Sequence, residues 1–339
     1  MNNKLIKVIN IIKPGSKVLP VLEMVMFHKG KMTVTDLFTT VVLNSSLDPS
    51  ISCLVDANIA VKSFLKWEDI SANLSDRELI ISDGIKECKF PNVSIDDFPK
   101  TTDLNEAEFI GILNSEDISK IISASKFVSR DELRPALTKV AIINGFIVAT
   151  DAHIMRWVES DFKSDNPILI GEKVCRLLSI FSGKQFKLYT TKDGKIIFDA
   201  PGVSIISRDC FETFPEFGKV IPEAHNTSVF VGRETFVNTI EEALCFSDST
   251  TNKVVLTING TLKVSSYNYD HGISFNKSIS AKKEGDDIRI GFNSKLLIKA
   301  IKSIKGDRMV MRFQDPSKAV VINDEILVMP VMLGEEDSI

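Results

Sequence analysis

Cysteine is scarce in this 339-residue chain: Cys53, Cys88, Cys175, Cys210 and Cys245 are five in number, widely spaced, and never in a C-x-x-C pair. That argues against a disulfide framework and fits a reducing compartment. Histidine is scarcer still. His28, His153, His225 and His271 are too dispersed to build a zinc cluster or an H-E-x-x-H helix from local spacing, so neither a metal nor a cofactor is expected. Long hydrophobic runs are missing as well. No stretch approaches the roughly 18 to 20 uncharged apolar residues of a membrane span, and the opening Met1-Asn2-Asn3-Lys4-Leu5-Ile6-Lys7 alternates lysine with apolar residues instead of forming a signal-peptide core. A cytoplasmic protein without a membrane partner is expected. A glycine-rich phosphate loop and a serine or cysteine nucleophile motif are also lacking, which leaves little for an enzyme to work with.

What is present is ordinary globular material, 44% hydrophobic and 25% charged, enough for two or three cores. It is organised as a repeat. Gly30-Lys31-Met32-Thr33-Val34-Thr35-Asp36, Gly145-Phe146-Ile147-Val148-Ala149-Thr150-Asp151 and Gly260-Thr261-Leu262-Lys263-Val264-Ser265-Ser266 each set a turn glycine before a strand-like run ending in small hydroxyl residues. The spacing from Asp36 to Asp151 is 115 residues, and from Asp151 to Ser266 it is 115 again. An amphipathic helix precedes each run, at 3–13, 114–127 and 233–245, and a second follows, at 56–68, 171–184 and 294–308. Short β-rich runs with Asn-Gly or Asp-Gly turns fill the remainder. The expected fold is therefore α+β: three repeated domains, 1–103, 104–222 and 223–339, each with two helices packed on antiparallel sheet. Phe98 and Phe214, each followed by proline, are expected to be buried where the first two domains close.

The net charge of −4 is unevenly spread. The six helices hold 16 basic and 9 acidic residues, so the rest of the chain carries −11. In the last helix Lys295, Lys299 and Lys302 lie opposite Leu296, Leu297, Ala300, Ile301 and Ile304. For a single helix, lysines solvating an exposed face are sufficient explanation. Repeated over several helices, with acid elsewhere, the pattern fits one basic wall facing phosphates without reading bases. Lys4, Lys7, Lys62, Lys66, Lys120, Lys126, Lys173, Arg176, Lys295, Lys299 and Lys302 are the candidate DNA-facing residues. The helix over 233–245 departs, with Glu234, Glu241 and Glu242 against one arginine.

Four motifs then occur in order: Leu133-Arg134-Pro135-Ala136-Leu137 through Val148-Ala149-Thr150-Asp151-Ala152-His153; Phe214-Pro215-Glu216-Phe217 with Val220-Ile221-Pro222; Ile290-Gly291-Phe292-Asn293; and Val328-Met329-Pro330-Val331-Met332-Leu333. In these the chain resembles the bacterial DNA sliding clamps, the β subunit of DNA polymerase III. The resemblance implies a head-to-tail homodimeric ring around duplex DNA, a non-enzymatic processivity factor, with a DNA polymerase and a clamp loader as further partners. It also implies a hydrophobic peptide-binding pocket made by Leu137, Thr150, Ala152, His153, Ile154, Met155, Pro222, Asn293, Leu296, Ser317, Ala319, Val328, Met329, Pro330, Val331, Met332 and Leu333. Any one of these residues is accounted for by core or strand-end packing; the family correspondence is what groups them. Where the family pattern has Gly-His-Arg this chain has Ala152-His153-Ile154, and Met332 replaces an arginine, which implies a more apolar pocket. An acidic tail, 335–339, follows. Such departures fit a diverged clamp, for example one encoded by a phage or mobile element. Two alternatives remain: a DNA-binding scaffold of clamp fold that forms no ring, and a hydrolase using Asp151 and His153, which share one face of an extended segment.

Overall fold

The computed structural model describes residues 2–12, 19–102, 104–164, 166–208 and 212–334. The expectations placed on Lys13, Asp103, Cys210 and the tail 335–339 lie outside the described residues.

One order of elements recurs along the chain. First come α1 (Asn2–Ile12), β1 (Met24–His28), β2 (Lys31–Thr35), β3 (Thr39–Asn44), β4 (Cys53–Asp56), α2 (Ala57–Lys62), β5 (Ser71–Leu74), β6 (Glu78–Ser82) and β7 (Glu87–Pro91). Then follow β8 (Ala107–Leu113), α3 (Ser115–Ala124), β9 (Lys139–Ile143), β10 (Phe146–Thr150), β11 (Ile154–Glu159), β12 (Ile168–Gly171), α4 (Glu172–Ile180), β13 (Phe186–Thr191), β14 (Lys195–Ala200) and β15 (Val203–Arg208). Last are β16 (Thr227–Gly232), α5 (Arg233–Cys245), β17 (Lys253–Ile258), β18 (Leu262–Asn268), β19 (Ile273–Ile279), β20 (Ala281–Gly285), β21 (Ile288–Asn293), α6 (Ser294–Ser303), β22 (Arg308–Phe313), β23 (Val320–Ile322) and β24 (Ile326–Val328). The glycines that open the repeated motif, Gly30, Gly145 and Gly260, all have positive φ (71°, 77° and 94°), a backbone state that side chains resist.

By contacts the chain forms two compact units, and the division runs through the second run of elements. Unit 1 comprises 1–125, 140–145 and 160–212; unit 2 comprises 126–139, 146–159 and 213–339. In unit 1 an antiparallel sheet runs β4-β1-β2-β3-β15-β14-β13-β8, beside the three strands β5-β6-β7. In unit 2 strands run β10-β11-β24-β23-β22-β16-β20, and a second sheet runs β19-β18-β17-β21. Helices cover one face of these sheets. Within unit 1, Ile118 and Ile121 of α3 and Leu177 and Leu178 of α4 are fully buried, as are Leu297, Ala300 and Ile301 of α6 in unit 2. Phe98 and Phe214 are buried as expected, 5% and 4% exposed.

Local chemistry sets the helix ends. The Asn114 side chain accepts a hydrogen bond from Asp117 N (2.8 Å), with Glu116 and Asp117 in the first turn, and α3 starts there. The helix over 233–245 has the expected bounds. Three others are shorter than expected. The segment 56–68 breaks at Ser63, whose hydroxyl bonds back to Ile59 O (2.6 Å) while its backbone leaves the helical range, so only a 3-10 turn, Phe64–Lys66, follows α2. The last helix ends at Ser303, not at 308: Ile304 is extended and Gly306 has φ 93°, which frees Arg308 to open β22. Likewise α4 stops at Ile180 with Phe181 as its C-cap, four residues short of Lys184.

Candidate partner-peptide site and cationic helix faces

The motif Thr150-Asp151-Ala152-His153 folds into a tight turn between β10 and β11. Thr150 Oγ1 accepts from Ala152 N (3.0 Å) and donates to Ile154 O (2.9 Å). Asp151 Oδ1 accepts from His153 N and Ile154 N, both at 2.9 Å. These bonds hold Ala152 at φ 77° and leave Ala152 and His153 exposed. The other Asp151 oxygen faces Lys299 Nζ at 3.5 Å. The carboxylate thus serves as a turn staple with both oxygens engaged, which speaks against its use as a general base. In unit 1 the same device joins β2 to β3: Thr35 Oγ1 accepts from Leu37 N (3.1 Å), Asp36 Oδ1 accepts from Phe38 N and Thr39 N (3.0 and 2.6 Å), and Lys173 pairs with Asp36 Oδ2. The third copy differs. Strand β18 runs on to Asn268, and Ser266 Oγ donates instead to Ala243 O at the end of α5 (2.7 Å).

Beyond β24 the chain is strapped across unit 2. Strand β24 pairs with β11, Ile154 opposite Val328. Met329 N then donates to His153 O (2.8 Å), and Val331 N to Gly291 O on β21 (2.8 Å). Gly291 is needed for this approach: a Cβ there would lie 2.7 Å from Leu333 Cδ2 and 2.8 Å from Val331 O. Met329 and Met332 emerge exposed, 37% and 74%, while Pro330, Val331 and Leu333 are half-buried. The strap and the 150–153 turn are thus hydrogen-bonded to one another, with Asn293 capping α6 through Lys295 N and Leu296 N and Leu296 half-buried.

Other candidates sit differently. Leu137, Ile154, Met155, Ala319 and Val328 are buried, Ile154 and Val328 completely. Ile154, at the position of a family arginine, points into the core, so this departure changes packing rather than the rim. Ser317 is exposed and its hydroxyl is committed to Asp315 (2.6 Å). Pro222 is half-buried just beyond a 3-10 turn, Phe217–Val220. A cleft of about 780 Å³ in unit 1, lined by Lys31, Val42, Ile112, Lys184 and Lys187 among others, coincides with none of these positions.

Sequence reasoning missed a buried tie among β11, α6 and the residue before β24. Arg156, 8% exposed, donates to Glu325 Oε2 (2.9 Å) and to Ser303 O and Oγ (3.3 and 3.2 Å), and its guanidinium lies 6.0 Å from the centre of the Phe127 ring. Lys299 lies over the same ring at 5.3 Å. A lone arginine among apolar residues in a strand was the one available sign.

The candidate DNA-facing cations divide by partner. Lys4, Lys7, Lys62, Lys66, Lys126, Arg176 and Lys295 are exposed and make no ion pair among the described residues, Lys4 lying 5.4 Å over the Phe181 ring. Lys120 pairs with Glu116 (2.8 Å), Lys173 with Asp36, Lys299 with Asp151 and Lys302 with Glu241 (2.5 Å). No group of three or more His, Cys, Asp or Glu suited to a metal is found among the described residues, and no helix there is long and apolar enough to cross a membrane.

Comparison with known proteins supports the same fold. The C-terminal domain of the DNA polymerase III beta subunit matches residues 218–327. The beta sliding clamp of Bacillus subtilis (strain 168) is 24% identical over 270 residues, covering 75% of this chain and 71% of that protein, and that of Staphylococcus aureus (strain N315) is 23% identical over 271 residues, covering 76% and 72%. Among solved structures, the DNA polymerase beta subunit of Streptococcus pyogenes superposes with a TM-score of 0.85 at 19% identity over 98% of both chains. A sliding clamp from Pseudomonas aeruginosa, solved with griselimycin bound, gives 0.84 at 17% identity, again over 98% of both. A family model over the last third, curated relatives over three quarters and solved folds over nearly the whole length converge: the chain is similar in sequence to bacterial beta sliding clamps and has the fold of the DNA polymerase III beta subunit.

Proposed function

We propose that this clamp closes into a ring with a second copy of itself, encircles duplex DNA without reading its sequence, and tethers a DNA polymerase and other replication proteins through the strap 329–333. It holds DNA and catalyses nothing. Its three domains are 1–103, 104–222 and 223–339, and each compact unit contains one of the two joints between neighbouring domains.

The observation that carries the ring is how those joints are made. In unit 1 the last strand of the second domain, β15, pairs with β3 of the first, Ile205 opposite Val41. In unit 2 the last strand of the third domain, β24, pairs with β11 of the second, Ile326 opposite Arg156. Val41 and Arg156 are 115 residues apart, the repeat spacing, so both joints use the same repeat position on the receiving strand. The rule leaves two strands without a mate: β7, which ends the first domain, and β19, the counterpart of β3 and β11 in the third. Both are edge strands. Exposed apolar residues lie beside both, Ile85 (93%) next to β7, and Phe246 (36%) and Ile273 (41%) at β19. Open edges of this kind invite pairing, and β7 of one copy with β19 of another is a heterologous contact that closes after two copies.

The test combines size with DNA topology. A dimer by light scattering that is retained on closed circular DNA and slides off linear DNA is expected. A monomer, or equal retention on both forms, removes the ring and leaves the scaffold reading.

A further inference from the structure

The charges on the helices are not equivalent once their partners are known. In unit 1, α1 packs against α4 and against the 3-10 turn after α2. Its lysines Lys4 and Lys7, together with Lys62, Lys66 and Arg176 on those neighbours, are exposed and free of carboxylates among the described residues. In unit 2 Lys126 and Lys295 are likewise exposed and unpaired among the described residues, but the other helix cations are taken up. Helix α5 carries Glu234, Glu241 and Glu242. Lys302 of α6 is taken by Glu241 (2.5 Å) and Lys299 by Asp151 (3.5 Å). Arg233 donates to Gly306 O (2.6 Å), and Lys277 is taken by Glu242 (2.8 Å).

A lysine already paired within the protein exposes little net field and releases few counterions when a phosphate approaches. From this we infer that contact with the duplex backbone is carried mainly by the unpaired cations of unit 1, where five cluster, and that Lys299 and Lys302, although on the most cationic helix in the sequence, hold unit 2 together instead. This inference rests on the clamp reading and refines it: each copy touches DNA asymmetrically along its length. The acidic α5, an exception when the helices are taken as equivalent, supplies the partner of Lys302.

The experiment uses the full-length protein and a labelled linear duplex over a series of low salt concentrations. The triple variant Lys7→Ala/Lys66→Ala/Arg176→Ala is compared with the charge-neutral pair Glu241→Ala/Lys302→Ala. Each phosphate contact contributes about 0.9 to the slope of log affinity against log salt. The triple variant is expected to flatten that slope by roughly 2 to 3 with its melting temperature unchanged, and the pair to leave it within about 0.5 of wild type. Equal losses from both variants, or no loss from the triple, overturn the asymmetry. Failure of the wild-type protein to stay on closed circular DNA would instead overturn the clamp reading itself.

Discussion

Gly291→Ala is the sharpest probe of the strap, because one methyl group is asked to enter occupied space. Two atoms stand in its way, Leu333 Cδ2 at 2.7 Å and Val331 O at 2.8 Å. The leucine end can swing aside at little cost. The carbonyl cannot move without dragging the backbone whose N–H donates to Gly291 O at 2.8 Å. Losing that bond costs about 1 kcal/mol, and overpacking typically about 1–3 kcal/mol. Since the strap lies at the margin of unit 2, the cheaper response is for 331–333 to lift away, leaving the core intact. The expected result is a melting temperature lowered by only a few degrees, an unchanged dimer, and at least a tenfold loss in stimulation of the cognate polymerase, the equivalent of about 1.4 kcal/mol in partner affinity. Gly218→Ala, whose Cβ would meet nothing within 4 Å, is the matched control. If Gly291→Ala stimulates the polymerase as well as the control does, the strap is not the docking surface.

Met329→Ala with Leu333→Ala removes an exposed anchor and a half-buried one, and is expected to abolish polymerase stimulation while light scattering still reports a dimer. Arg156→Ala deletes the group that ties β11 to Ser303 and Glu325. A loss of about 2 kcal/mol in chemical denaturation is expected, less than the roughly 3–5 kcal/mol for a fully buried pair because the Glu325 side chain is still 27% exposed; a change under about 0.5 kcal/mol would count against the network as an anchor. Burial pushes the Cys53 thiol up to about 11 from 9.0, so it stays protonated and unreactive near neutral pH. Mass-spectrometric mapping of alkylation should find the exposed Cys245 labelled well before the buried Cys53. Because the folded value lies above the unfolded one, whatever stability Cys53 contributes by remaining neutral is complete below pH 9 and lost as the pH rises toward 11.

The elements that read cleanly from sequence are those decided by their own residues. Gly30, Gly145 and Gly260 occupy left-handed turn positions, Asn114 caps α3, and the 233–245 helix needs nothing outside itself to end where it does. Ser63 and Gly306 are also local signals, but weak ones, and hydrophobic periodicity continuing past them extended two helices too far. The pocket was legible in part for the same reason. The Thr-Asp turn and the strap are contiguous motifs, whereas the burial of Ile154 depends on Val328, far along the chain. Electrostatics was least legible. Lys173 meets Asp36 and Lys299 meets Asp151 across separations of 137 and 148 residues, so counting charge by helix could give the sign of a surface but not which cations remain unspent.

Those two ion pairs also distinguish the joints from one another. In each, a turn aspartate pairs with a lysine from a later helix of the same unit: Asp36 with Lys173 of α4 in unit 1, Asp151 with Lys299 of α6 in unit 2. At the third repeat position stands Ser266, whose hydroxyl is turned inward onto Ala243 O. A second copy arriving at β19 would therefore bring Lys62, the sixth residue of α2 as Lys299 is of α6, to a position with no aspartate to receive it. Strand pairing and apolar contact remain there, but the charged tie does not. In the proposed ring the joint between copies would then lack the ion pair that each of the two joints within the chain carries, which makes it the first place expected to open.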